Sequence, residues 1–219
     1  SVPLAMSAAL PLLSEGIIDG DQSCVMFAAA TEDLIINSTT ALNVTTGKLS
    51  FEVWIMPTLN TSGRGVISKR AGMTTGAGWL LSVSNLAPGF RISSGADSAT
   101  ALAPALTINT WNHIVGVRDT VGVDSLDIYV NGVLAASVDA SAVGSLTNTS
   151  KFSIDVSNAG SSANWTGAMA LCRIWIEKAL TKAQVDSLYA HRPLGTLAAP
   201  YPSIQSAIRQ SAGLGRTTI

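Results

Sequence analysis

Acid–base chemistry at a glycosidic bond needs two carboxylates facing one sugar. The chain has four glutamates, Glu15, Glu32, Glu52 and Glu177. Glu52 falls within a predicted strand but stands alone there. Nucleophilic hydrolysis needs a base beside its nucleophile. The only histidines are His113 and His191. His113 reads as a core histidine on the inward face of its strand. His191 falls at the end of a predicted helix, where the dipole favours a cation, and reads as a cap. No Gly-X-Ser-X-Gly elbow and no glycine-rich phosphate loop is present. No catalytic residue is expected, and the chain reads as non-enzymatic.

Metal chemistry has a thin basis. Calcium requires several hard oxygens converging on one point. The candidates are Asp19 and Asp21 in one loop, and Asp155 with Asn158 near the other end of the chain. Neither set follows a full ligand pattern, so solvated turn residues are the competing account. Cys24 and Cys172 lack the CxxC spacing of a thiolate site. They read as small core residues, or as a single bridge if their strands are neighbours. No cofactor is expected beyond that calcium alternative.

The elements that must position these residues follow from composition and pattern. A length of 219 residues suits one domain with appendages. With 47% hydrophobic residues a sizeable core is available. Only 12% of residues are charged and the net charge is -1, which excludes a polyanion binder held by clustered Lys and Arg. Nucleic acid is therefore not an expected partner. No apolar run approaches the roughly 20 residues of a membrane-spanning helix. The longest soft stretch, Val2 to Leu13, contains Ser7, Pro3 and Pro11 and has no basic residue before it, unlike a signal peptide. Asn-X-Ser/Thr sequons at Asn37, Asn43, Asn60, Asn148 and Asn164 point only faintly to secretion.

From Ser23 onward, short runs rich in Val, Ile, Phe and Thr alternate with Gly, Asn, Asp and Ser. That is the strand-and-turn texture of an all-β sandwich or barrel. The pattern predicts strands at 23–28, 33–37, 48–57, 65–69, 77–84, 89–94, 111–118, 125–131, 133–138, 151–155 and 165–176. In the 125–131 run, Leu126, Ile128 and Val130 alternate with Asp127 and Tyr129. Asn131-Gly132 then supplies a type I′ turn. Trp111, His113, Val115 and Val117 share one face of their strand. One helix is predicted at about 181–190, with Thr181 as N-cap, Gln184 three residues on, and Val185, Leu188 and Tyr189 as the apolar stripe.

Several of these segments together resemble the laminin-G-like, concanavalin-A-type jelly rolls. They are Thr46-Gly-Lys-Leu-Ser-Phe-Glu-Val-Trp-Ile-Met-Pro, Ile67-Ser-Lys, Trp111-Asn-His-Ile-Val-Gly-Val-Arg-Asp and Ile128-Tyr-Val-Asn-Gly. The closing Trp165-Thr-Gly, Arg173-Ile-Trp and Ala179-Leu-Thr before a short helix complete the set, in order, over roughly residues 21–192. The resemblance implies an all-β fold: a two-sheet antiparallel jelly-roll sandwich with one short C-terminal helix. It brings the first and last strands together, and Cys24 and Cys172 would then lie near each other. It places Trp54, Trp111 and Trp165 in the core. From the residues themselves, Trp175 beside Ile174 is read as covered by the C-terminal helix; core packing is the default for all five tryptophans, and Trp79, beside Gly76 and Gly78, is the one position open to glycan stacking. Some relatives set their carboxylates along a strand as Glu-X-Asp-X-X-Glu, and this chain has no such pattern. Gly167-Ala-Met is followed by Ala170 where the family often has an acid, which counts against an inherited calcium site, and Asp155 stands where the family often has Gly.

The resulting division is an apolar N-terminal arm at 1–20, the jelly roll at 21–192 and a C-terminal arm at 193–219. The arms carry Val2, Leu4, Met6, Leu10, Leu12 and Leu13 before the sandwich, and Tyr201, Ile204, Ile208 and Leu214 after it. Apolar arms suggest docking on protein neighbours, either copies of the chain in a homo-oligomer or a scaffold such as a capsid; the competing account is that they fold back onto their own domain. The first expectation is a structural protein on a virion surface, as a capsid decoration or cement or a tail component. The alternative is a secreted or cell-surface lectin-like module that binds carbohydrate or mediates adhesion.

Overall fold

The computed structural model describes residues 5–6, 12–18, 22–27, 34–36, 42–45, 47–154 and 165–190. For the first four segments it describes the backbone, together with the side chain of Ile35. Fourteen strands and one helix make up the described fold. In chain order the strands begin β1 (Ala5–Met6), β2 (Leu12–Ile18), β3 (Gln22–Phe27), β4 (Leu34–Ile36) and β5 (Leu49–Pro57). Next come β6 (Arg64–Arg70), β7 (Ala77–Ser84), β8 (Ala87–Ser94), β9 (Ser98–Leu102) and β10 (Asn112–Asp119). The chain closes with β11 (Ser125–Val130), β12 (Val133–Asp139), β13 (Phe152–Ile154), β14 (Gly167–Ile176) and helix α1 (Lys182–Ala190).

The strands form two seven-stranded sheets, paired antiparallel throughout. The front sheet runs β1-β4-β13-β6-β7-β8-β9 and the back sheet β12-β11-β10-β5-β14-β3-β2. The expected jelly-roll sandwich is present. Between the sheets lie Phe51, Val53, Ile55, Trp79, Phe90, Ile114, Ile128 and Trp165, all buried. Phe51 stacks on Trp79 at 6.2 Å and meets Phe90 edge-on at 4.9 Å. Gly116 of β10 faces this cluster, and a Cβ there would collide with the Phe51 ring, so only glycine fits.

The back sheet is also covered on its far side. Every residue of β5 is buried, so Ser50, Glu52, Trp54 and Met56 are enclosed as fully as the core-facing set. The cover is α1 and the segment before it. Thr181 and Gln184 form the predicted reciprocal cap, with Gln184 N–H donating to Thr181 Oγ1 at 3.3 Å and Thr181 N–H donating to Gln184 Oε1 at 2.9 Å. Val185 is fully buried against Val115, Val117 and Tyr129. Ser50 Oγ fastens the lead-in, donating to Lys178 O at 2.9 Å and accepting from Leu180 N–H at 2.9 Å.

Three differences from the sequence reading stand out. Leu12–Ile18, assigned to an arm, is the edge strand of the back sheet, and Ala5–Met6 pairs with β4. β3 and β4 leave backbone donors and acceptors free on one side, and the N-terminal segment satisfies them. Strand β9 was not predicted: its buried positions are Ala99 and Ala101, too small to register as an apolar alternation. His113 does not face the inter-sheet core. Ile114 does, while His113 lies under α1 on the back sheet's far side. Because both faces of β10 are buried, alternation could not say which side was the core.

Candidate functional site

The chemistry-bearing residues of the helix-covered face converge through strand register. Glu52 of β5 lies opposite Val115 of β10 on one side and Arg173 of β14 on the other. Its Oε1 meets His113 Nε2 at 3.0 Å, and its Oε2 lies 3.1 Å from Arg173 Nε. The His113 ring packs against Trp54, at 4.9 Å, and Tyr189 of α1, at 5.7 Å, and these two stack on each other at 6.2 Å. Glu52 and His113 are both fully buried. A carboxylate–imidazole pair is a general acid–base unit only where a substrate can reach it. This one is sealed, so it holds α1 and β14 on the sheet. Glu52, solitary in the sequence, has two partners that register alone supplies.

A bulge decides what β14 presents. Between Ala170 and Arg173 the register against β5 shifts, and Leu171 adopts a positive φ of 50°. One extra residue reverses the alternation. Ala168 and Ala170 pack under α1 before the bulge; after it Ile174 turns to the core, while Arg173 and Trp175 take the helix side. Cys172, within the bulge, is a free thiol. Burial, then the charge of Glu52, pushes its pKa up to about 12. β3 pairs with β14 as the resemblance implied, with Val25 opposite Met169. Cys24 is the next residue of β3.

The tryptophans sort differently from expectation. Trp79 is no stacking platform: it is 0% exposed, wedged between Phe51 and Phe152. The flanking glycines serve the Arg70–Ala77 hairpin, not an open surface. Trp54, Trp111 and Trp165 are buried as expected, though Trp54 and Trp111 pack on the helix side. Trp175 is half-buried beside α1 and forms the wall of an open pocket of about 200 Å³. Lys178, Leu180, Gln184, Ser187 and Leu188 complete the lining. The lining brings an indole together with the Lys178 ammonium, the Ser187 hydroxyl and the amide of Gln184, whose Oε1 already accepts from Thr181 N–H.

The other predicted site residues are not brought together. Asp19, Asp21, Asp155 and Asn158 lie outside the described residues, as do Val2, Leu4, Leu10, Tyr201, Ile204, Ile208, Leu214 and His191. Met6, Leu12 and Leu13 are described by backbone alone. Among the described residues no group of three His, Cys, Asp or Glu is placed to hold a metal. Among them, too, no helix is long and apolar enough to cross a membrane. Of the sequons, Asn60 is exposed. Asn148 has its amide committed, donating to Lys69 O and Leu146 O at 3.0 Å each.

This fold, two antiparallel sheets with a helix-backed outer face, is that of a concanavalin A-like jelly roll. A sequence profile of the concanavalin A-like lectin/glucanases superfamily, laminin-G type, matches residues 31–186, and the chain belongs to that family. No curated protein sequence matches it. Among solved structures, the binding domain of Paraclostridial Mosquitocidal Protein 1 superposes with a TM-score of 0.69 at 16% identity, over 86% of this chain and 47% of that one. The binding domain of botulinum neurotoxin serotype G gives 0.67 at 14%, over 86% and 46%. The serotype D ligand-binding domain in complex with N-acetylneuraminic acid gives 0.66 at 13%, over 87% and 46%. The chain thus spans about half the length of these domains, and the likeness is one of fold.

Proposed function

We propose that the chain is a non-enzymatic, lectin-like carbohydrate-binding module that works outside the cell or on a surface. The observation that carries this reading is the Trp175 pocket, an aromatic wall with polar groups at its rim on a lectin-family fold. Solved neighbours that are toxin binding domains, one of them complexed with N-acetylneuraminic acid, support it. Display on a virion through terminal arms has less behind it. The solved neighbours named above are toxin binding domains, and Leu12–Ile18 is hydrogen-bonded into the chain's own sheet. A glycan array probed with the full chain, with and without calcium, tests the reading. Binding that falls at least about tenfold on Trp175→Ala supports it, since a ring stacked on an aromatic face contributes on the order of 1–3 kcal/mol where bases have been the probe. A blank array in both conditions overturns it.

A further inference from the structure

The polar side chains around Trp175 can give hydrogen bonds but have little left to accept them with. Lys178 contributes an ammonium, which only donates, and an indole N–H likewise only donates. The Gln184 amide could do both, but its Oε1 already accepts from Thr181 N–H at 2.9 Å in the cap that starts α1. Its N–H groups remain. The Ser187 hydroxyl can turn either way. The carbonyl of Lys178 is taken, since Ser50 Oγ donates to it at 2.9 Å. Among the described residues, no Asp or Glu lines this pocket.

Lys178 also carries an uncompensated charge. It is exposed, and the ion pairs among the described residues are those of Lys48, His113, Arg118, Arg173 and Lys182. The carboxylates nearest to it in sequence are engaged elsewhere. Glu177 is packed on Gly47, where it leaves no room for a Cβ. Asp186 is held by Lys182 Nζ at 2.6 Å. Arg173, on the helix side of β14 like Trp175, is paired with Glu52 at 3.1 Å. Lys178 is therefore a cation at the pocket wall with no carboxylate of its own among the described residues, and Ser50 anchors its backbone there.

We propose that the ligand of this pocket is an acidic sugar, whose carboxylate or sulfate meets the Lys178 ammonium and the Gln184 N–H groups while its ring lies on Trp175. The proposal rests on the sugar-binding reading of the pocket given above. A sugar hydroxyl both donates and accepts, so a lining made mainly of donors satisfies only half of it. An oxyanion only accepts, and its several lone pairs match several donors. Gln184 lies in the first turn of α1, where the positive end of the helix dipole adds to the attraction for an anion. An ammonium acts as a point charge rather than a planar fork, so the site takes either oxyanion, and the probes below separate the two.

A glycan array that carries neutral sugars beside their sulfated and uronic-acid counterparts tests it, probed with the full chain as wild type, Lys178→Gln, Lys178→Arg and Trp175→Ala. Titration calorimetry then gives the affinities of the matched pairs. Wild type is expected to bind the sulfated or the uronic members about two- to fivefold more tightly than their neutral counterparts at low salt, the range of an exposed charge pair, and to lose that margin at high salt. Lys178→Gln lowers the acidic members to the level of the neutral ones, whereas Lys178→Arg keeps the margin. Trp175→Ala weakens both classes. The class that shows the margin identifies the oxyanion. Equal binding of acidic and neutral members by wild type overturns this proposal and leaves the sugar-binding reading standing, and so does a margin that survives in Lys178→Gln. A blank array overturns both. Lys178 is exposed and meets Ser50 through its backbone carbonyl, so both Lys178 variants keep the contact that holds the pocket together.

Discussion

Removing the Glu52 carboxylate should loosen the whole helix-covered face. In Glu52→Ala, His113 Nε2 loses its acceptor at 3.0 Å while remaining fully buried. An unsatisfied buried donor costs about 1–3 kcal/mol. Arg173 also loses its partner, but its side chain is 47% exposed, so water replaces much of that attraction and it adds at most ~1 kcal/mol. The deleted side chain further leaves a void beneath Trp54 and Tyr189. The expected total is about 3 kcal/mol, at the low end for breaking a buried pair by removing one member. For a chain of this size that lowers Tm by about 6–12 °C. Urea unfolding followed by tryptophan fluorescence reads it directly, because Trp54 packs on His113. Glu52→Gln keeps an acceptor for Nε2 and should lose less than half as much. The double variant Glu52→Leu/His113→Leu should recover most of the loss, since neither polar group is then stranded. A Glu52→Ala variant within about 0.5 kcal/mol of wild type would refute the reasoning, as would strict additivity of Glu52→Ala and His113→Ala.

Cys172 should resist thiol reagents in the native state: a pKa raised from 9.0 to about 12 cuts the thiolate fraction at neutral pH by roughly a thousandfold. Native and urea-unfolded protein treated with a chromogenic disulfide reagent would show the contrast. Because the folded state holds this thiol neutral, its contribution to stability is complete below about pH 9 and is lost as pH rises towards about 12, at most ~4 kcal/mol in all. Urea midpoints of wild type and Cys172→Ala should therefore diverge less at about pH 10.5 than at about pH 8. Ser50→Ala strands the Leu180 N–H and the Lys178 carbonyl, and should cost about 1–3 kcal/mol in urea unfolding and weaken sugar binding by moving two walls of the Trp175 pocket. Gly116→Ala drives a methyl into the Phe51 ring and should cost about 1–3 kcal/mol or prevent folding, seen as a lowered Tm or loss of soluble protein.

The fold was largely legible because strands, turns and caps are local. Leu126, Ile128 and Val130 alternate, and Asn131-Gly132 turn the chain with φ of 52° and 80°, as a type I′ hairpin requires. Thr181 and Gln184 sit three apart and cap the helix as read. The site was much less legible. Glu52 and His113 are 61 residues apart, and only the register of β5 on β10 brings their side chains together. Trp175, read as covered by the helix from its place beside Ile174, lies half-buried on the helix side. Its place there depends on a bulge at Leu171 that no local signal announces. Trp79 was singled out for stacking because glycines flank it, although core packing was the default for every tryptophan and alternation along its own predicted strand sends it inward.

What the sequence by itself determined was the alternation that makes strands, the turn and cap residues that end them, and a charge too low for polyanion binding. These depend on neighbours within a few residues. The tertiary structure decided which of two buried faces each strand turns to the core, which distant polar groups share a pocket, and which residues of β14 its bulge turns to the helix side. Those outcomes depend on register and sheet packing, where a shift of one residue sends every side chain of a strand to the opposite face.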